Sequence, residues 1–412
     1  MSRAMKNSGI EWVGKVPDNW TLKRAKGIFA QRNSKGNQTP VLLSSTQKQG
    51  MMPQWMLEGV VQTSADTDLQ SFKTVHINDY VISLRSFQGG FEKSNYEGVC
   101  SPAYQVFYNR EPIDHNYYWL LFKSLGFISK INSLTVGIRE GKNIQYKDFA
   151  NMYLPFPPVS EQQAIANFLD KKCGEIDKLI ALQEKIIEEL KAYKQSVITE
   201  VVTKGLNPDV PMKDSGIEWI GLIPVNWSVC KLKYLYSLIN GRAYSDTELL
   251  EKGKYRVLRV GNLFTSDKWY YSDLELSEDK YCSKGDLIYG WSASIGATIW
   301  KGEKVIYHYH IWKVMTGKND VRFSEYLLNA LTDAKRKDMH GSAMQHLTMV
   351  GMNNSLLPNV PFAEQRSIAD YLDNKCANID SLIAIKQSKI EELKEYKKSI
   401  IYEYVTGKKE IV

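Results

Sequence analysis

The chain has 412 residues, 43% of them apolar and 24% charged, and a formal net charge of +7. This is enough apolar material for two or three cores, and no stretch has the composition of a disordered or low-complexity segment. The first residues carry no apolar signal core and no run of about 18 apolar residues occurs, so neither secretion nor membrane spanning is expected and the expected location is cytoplasmic, in keeping with five cysteines that show no CxxC spacing.

Residues 6–20, KNSGIEWVGKVPDNW, return as KDSGIEWIGLIPVNW at 213–227, an offset of 207. Trp12 and Trp20 match Trp219 and Trp227, each near Gly and Pro and among Ile and Val. Such rings can serve as a stacking platform for nucleic-acid bases. Their apolar setting favours core packing of a compact, turn-rich boundary segment.

From 21 to 153 the chain breaks into short β-branched and aromatic segments, TPVLLSST, DYVISL and YQVFY, punctuated by Gly, Asn and Ser. These predict strands with irregular loops, plus a helix near 117–130, hence a small α+β domain. The stretch 228–356 repeats the plan with different residues: YRVLRVGN, GDLIYGW, ATIW and KVIYHYHIWKVM, then a helix around 324–335. Asp79 and Gly89 fall opposite Asp286 and Gly296 at the same offset of 207, while most residues between them differ. The pattern predicts one fold carrying two divergent surfaces. The first head holds 15 Lys+Arg against 10 Asp+Glu and the second 18 against 14, so the positive charge is concentrated in the heads. Basic heads suit a polyanionic partner.

Each head is followed by a Pro-rich break and a long helical pattern. Between 161 and 203, 25 of 43 positions are identical to 364–406, shifted by 203, which marks a duplicated element. Apolar residues at Ile165, Leu169, Ile176, Ile180, Ile187, Leu190, Val197 and Val201 form a seam of period near 3.5, the signature of a coiled coil needing a partner helix. The obvious partner is the other copy. Pairing about a pseudo-twofold axis runs the two antiparallel and sets the heads at opposite ends. Cys173 and Cys376 are repeat equivalents within the helices and read as small packing groups.

The search for chemistry yields little. GIREGKN at 137–143 is one residue short of a phosphate loop and lacks the hydroxyl that would hold Mg2+. His308 and His310 share a strand face and Cys282 is a conceivable third ligand, but nothing stands at diagnostic metal spacing, and a structural or DNA-facing role fits better. Asp18 and Asp209 have no partner for a nuclease site, and no catalytic Ser, Cys and His set is present. The loops are more informative. Arg32, Asn33, Lys35, Asn37, Arg85, Gln88, Arg139, Lys142 and Asn143 in the first head, with Arg242, Tyr244, Arg259, Asn262, Trp291, Ser292, Ser294, Gln345 and His346 in the second, are the candidate DNA-contacting residues. Arg reads guanine and Asn or Gln reads adenine in the major groove, while Lys and Ser anchor phosphates.

The order of boundary motif, variable head and long helix, twice over, resembles the specificity (S) subunit of type I restriction-modification enzymes. The resemblance rests on SGIEW…P.NW at 8–20 and 215–227, with Val16 before the proline in the first copy and Ile223 in the second, and on P…EQ..IA..LD.K…ID.LI in both helices, and it covers essentially the whole chain. One departure is the second Pro-rich entry, LPNVPFAEQ, which lacks the adjacent prolines of LPFPPVSEQ. The resemblance implies an α+β fold with two globular mixed α/β target-recognition domains, joined by two long helices in an antiparallel coiled coil with an internal pseudo-twofold repeat. It implies a boundary segment at 1–20, recognition domains at 21–153 and 228–356, a central helix at 154–206, a repeated boundary segment at 207–227 and a C-terminal helix at 357–412. It further implies a non-catalytic DNA-recognition subunit, with no cofactor of its own. The partners would be double-stranded DNA, two modification (methyltransferase) subunits carrying S-adenosylmethionine, and restriction subunits using ATP and Mg2+. The alternatives are a specificity subunit of an orphan or other multisubunit adenine methyltransferase, or a coiled-coil scaffold binding RNA or protein.

Overall fold

The structure is a computed structural model that describes residues 3–36, 41–58, 69–83, 90–134, 144–292, 294–338 and 347–411. The chain divides into two compact units, Met1–Glu184 with Ser388–Val412, and Lys185–Gln387. A central helix, Val159–Lys204, and a C-terminal helix, Phe362–Val405, each give one stretch to either unit. Of the eight seam residues on the central helix, Ile165, Leu169, Ile176, Ile187, Val197 and Val201 are buried and Ile180 and Leu190 half-buried. A seam so covered is what a period near 3.5 requires. Among the described residues no helix is long and apolar enough to cross a membrane.

In the first unit the head is built on a four-stranded antiparallel sheet in the order Phe29–Arg32, Gln105–Asn109, Tyr80–Ile82, Phe91–Lys93. Strand alternation sends Tyr80, Ile82 and Phe107 into one core, with Phe122, Phe127 and Phe149, and sends Val81 and Val106 into another, with Leu43, Met51 and Cys100. The sheet is therefore buried on both faces. The first core is a nest of edge-on rings, with Phe29 5.3 Å from Tyr118 and Phe91 5.1 Å from Phe127. The single helix expected near 117–130 is two, His115–Lys123 and Leu125–Ser133. Ser124 between them has extended backbone and is buried, and just beyond it Gly126 brings backbone against Trp12 and Tyr402. In this unit the two long helices run antiparallel, since Phe168 stacks near Tyr404 at 4.6 Å while Asp177, further along, meets Lys397 at 2.7 Å.

The second unit repeats that sheet order with Ser237–Asn240, Ile311–Met315, Leu287–Gly290, Gly296–Ile299. Alternation again divides the strand residues: Leu287, Tyr289 and Trp312 face one core with Leu327 and Leu331, while Ile288 and Ile311 face another with Leu258 and Val305. The second face is covered here by a mixed sheet, Tyr270–Ser272, Tyr255–Leu258, Val305–Tyr307, Tyr281–Cys282, whose central pair is parallel. The helix on the first face is Val321–Asp338, begun by Asp320, whose Oδ1 accepts from the Phe323 N–H at 3.1 Å. Within this unit the long helices are also antiparallel: Lys194 meets Asp380 at 2.7 Å, and Val202, further along, shares a core with Leu372.

The boundary segments form hairpins, Met5–Asn7 with Lys15–Pro17 and Met212–Asp214 with Leu222–Pro224. Trp20 and Trp227 are buried, so their faces are core surface and offer nothing to a base. In each unit this Trp lies where one long helix starts and the other ends. Trp227 Nε1 donates to Glu364 Oε2 at 3.0 Å, and a Cβ on Gly205 (φ +78) would lie 3.3 Å from the same ring. A Cβ on Gly407 (φ +72) would lie 2.4 Å from Pro17 Cδ, while Arg3 grips Glu161 at the neighbouring helix start, Nη2 to Oε2 2.9 Å. Burial works to raise the Glu161 pKa, and the hydrogen bonds it accepts, from Arg3 above all, outweigh that and hold it below its ordinary value.

The Gln beside each of these acids ties helix to head. Gln162 accepts from the Asp114 N–H at 2.8 Å, and Gln365 accepts from the Asp320 N–H at 2.8 Å, so each long helix fixes the residue that starts a head helix. The shared EQ dipeptide is thus structural.

Candidate nucleic-acid interface

Four segments of the second head converge around His308 to His310. Arg242 N–H donates to Tyr307 O at 3.1 Å and the Tyr309 N–H to Arg242 O at 3.0 Å. The His308 N–H donates to Leu258 O at 2.9 Å and the Trp291 N–H to His310 O at 3.1 Å. Residues far apart in the sequence, Arg242, Tyr244, Arg259 and Trp291, are thereby brought to one place. The rings crowd: Tyr309 and His310 are 4.0 Å apart, Trp291 and His310 5.0 Å, and Trp291 stacks on Trp312 at 5.8 Å. Tyr309 is 39% exposed, enough to present a ring to a ligand. Burial, then the positive charge of neighbouring His310 and Arg259, pushes His308 down to about 4, so it is neutral at pH 7.

The individual residues divide by what already occupies them. Arg242 makes a two-point contact with Glu248, 3.0 and 2.7 Å, and that contact, first among the causes, pulls Glu248 down to about 2. Asn262 spends its side chain on the backbone, accepting from the Arg259 N–H at 3.1 Å and donating to Lys268 O at 2.8 Å. Trp291 Nε1 is held by Tyr309 O at 2.8 Å. Tyr244 is half-buried with its ring near His308 at 6.3 Å, Ser292 is buried and Ser294 half-buried. Arg259 is exposed. Cys282 is packed among Leu258, Val305 and Tyr307, and burial lifts its thiol to about 12, which suits a core residue.

In the first head Arg32 is engaged by the buried carboxylate of Asp79, Nε to Oδ2 2.7 Å and Nη2 to Oδ1 3.0 Å, with its face 4.6 Å from Tyr108. The geometry needed to fork onto a base edge is used within the protein. Asp79 also accepts the His76 N–H at 2.9 Å, as its repeat equivalent Asp286 accepts the Ser283 N–H at 2.7 Å, so the matched aspartates close matched turns. Asn33 and Lys35 are exposed. Asn37, Arg85, Gln88, Arg139, Lys142, Asn143, Gln345 and His346 lie outside the described residues.

The sequence gives His308 and His310 a structural or DNA-facing role in preference to a metal-binding one, and Tyr309 between them carries no expectation there. The expected shared strand face is not formed: His308 to His310 make the turn between the strands Val305–Tyr307 and Ile311–Met315, and the turn leaves Tyr309 exposed where Tyr307 is buried.

Comparison with known proteins bears on both units. The profile of the type I restriction modification DNA specificity domain matches residues 17–192 and again 224–395. The chain is 25% identical over 420 residues to the type I restriction enzyme MjaVIII specificity subunit of Methanocaldococcus jannaschii, covering 96% of this chain and 94% of that one. It is 25% identical over 193 residues to the EcoBI specificity subunit of Escherichia coli, covering 46% of this chain and 41% of that one. Among solved structures, the HsdS subunit from Thermoanaerobacter tengcongensis superposes with a TM-score of 0.53 at 15% identity, over 95% of this chain and 98% of that one. A chain solved in work on complex assembly and conformational transition of the type I R-M system gives a TM-score of 0.71 at 15% identity, over the same shares. With the profile matched twice across most of its length, this chain belongs to the type I restriction modification DNA specificity domain family.

Proposed function

We propose that the chain is the DNA sequence-recognition subunit of a type I restriction-modification complex, each head reading one half of a bipartite, asymmetric site. The doubled profile match carries this reading, laid on two heads that share a strand order yet present different residues at its edges. The chain itself is non-catalytic. Chemistry belongs to partners: modification subunits that bind S-adenosylmethionine and methylate adenine, and restriction subunits that use ATP and Mg2+.

The long helices act as spacer and as docking surface. Supporting this, exposed apolar residues recur at repeat-equivalent positions: Leu179 and Leu182 in the first unit, Leu382 and Ile385 in the second, with Tyr396 and Tyr193 likewise exposed. Apolar groups on a helix face away from its seam suit a protein partner, and their duplication suits two copies of the same one. The test is methylation-aware sequencing of genomic DNA from cells with and without the gene. One bipartite adenine-methylated motif should vanish with the gene; identical methylation in both would overturn the proposal.

A further inference from the structure

The second head holds five arginines, and what lies on the N–H edge of each guanidinium separates them. Arg322 is closed by Asp370 and Asp373, at 2.8 and 2.7 Å. Arg336 donates to Ile295 O at 2.6 Å. The other three each lay a face on an aromatic ring: Arg242 on Tyr244 at 5.1 Å, Arg256 on Trp269 at 5.4 Å, Arg259 on Tyr270 at 5.3 Å. Stacking of this kind holds the plane of the group and leaves its edge donors available. The edge of Arg242 is taken by Glu248 and that of Arg256 by Glu303, at 3.3 Å. Arg259 is stacked in the same way, is exposed, and among the described residues forms no ion pair with a carboxylate.

Its position is equally telling. Arg259 follows the strand Tyr255–Leu258, whose last carbonyl binds the His308 N–H, so it stands at the convergence that also carries the exposed Tyr309 ring. Lys268 shares the Tyr270 ring, its Nζ 5.2 Å from the centroid, and adds a second positive charge there. A pre-oriented fork beside a point charge matches a guanine edge next to a backbone phosphate. The fork meets O6 and N7 together through two fixed parallel N–H bonds, whereas a lysine ammonium reaches them as a point charge on a flexible stem and discriminates less sharply.

We infer that Arg259 is the guanine-reading arginine of the second head, with Lys268 anchoring the neighbouring phosphate. This rests on the reading of the chain as a DNA-recognition subunit. Cells lacking the gene are complemented with the wild type, R259K or R259A, and their methylated motifs are sequenced. The wild type should restore a bipartite motif. R259K keeps the charge without the rigid fork, so the preference for one guanine of one half-site weakens, by up to roughly 150-fold. R259A should lose the same preference at lower overall methylation, and both variants should melt at the wild-type temperature because the side chain is exposed. An unchanged motif in R259A, loss of preference in both halves, or a lowered melting temperature would each overturn the inference. Failure of the wild type to restore any motif would instead bring down the DNA-recognition reading itself, and this inference with it.

Discussion

Trp227 and Glu364 are joined by a 3.0 Å hydrogen bond across 137 residues of sequence, tying a boundary segment to the first turn of the C-terminal helix. Asn226 reinforces the same carboxylate at 3.2 Å. Trp227→Phe keeps most of the buried ring but removes the donor and some volume, at a cost of about 2–3 kcal/mol. The expected outcome is a melting transition lowered by a few degrees in scanning calorimetry. An unshifted transition would show that the bond does not hold the segment to the helix.

The ion pairs between the long helices are expected to matter far less. Asp177–Lys397 in the first unit and Asp380–Lys194 in the second are exchanged by the repeat offset, both at 2.7 Å, and both carboxylates are 57% exposed. Exposed pairs of this kind contribute about 0.2–1 kcal/mol. Asp177→Ala and Asp380→Ala should therefore each shift a urea midpoint only slightly. A loss of several kcal/mol from either would mean that the apolar seam is not the main source of pairing.

His308 gives the second unit a defined response to acid. Its folded pKa of about 4 lies below the ordinary 6.5, chiefly through burial, so the unfolded chain takes up a proton that the folded chain refuses. Its contribution to stability is thus fully present above pH 6.5 and is lost progressively as pH falls toward 4. Melting temperatures measured between pH 7 and pH 5 should fall less steeply in His308→Asn than in the wild type. Equal slopes would locate the acid sensitivity elsewhere.

The proposed spacer role predicts a change of gap. A heptad inserted after Ile187 and another after Ile390 keeps the apolar seam in phase and lengthens each helix by about 10 Å. At about 3.4 Å per base pair this is roughly three extra base pairs between half-sites, with the half-site sequences unchanged. The methylated motif of cells carrying the insertion reports both. An active complex with an unaltered gap would remove the helices from the role of ruler.

The long helices were legible in the sequence because a buried seam recurs every three to four residues, the two-head plan because the boundary motif and the helix return at fixed offsets, and strands such as 80–82 and 287–290 as short apolar runs, since both of their faces enter a core. The break at Ser124 was not, since an apolar helical pattern runs through it and only the fit of Gly126 against Trp12 and Tyr402 shows what the break positions. Loop composition likewise named Arg32, Arg242 and Arg259 as equals. The fold separates them, because strand pairing carries Asp79 to Arg32 from 47 residues away and a turn folds Glu248 onto Arg242, while no described carboxylate is carried to Arg259. Which residues are basic is written in the chain. Which basic groups remain available to a ligand depends on where the sheet delivers the acids, because an ion pair forms only between groups that tertiary structure places within a few ångströms.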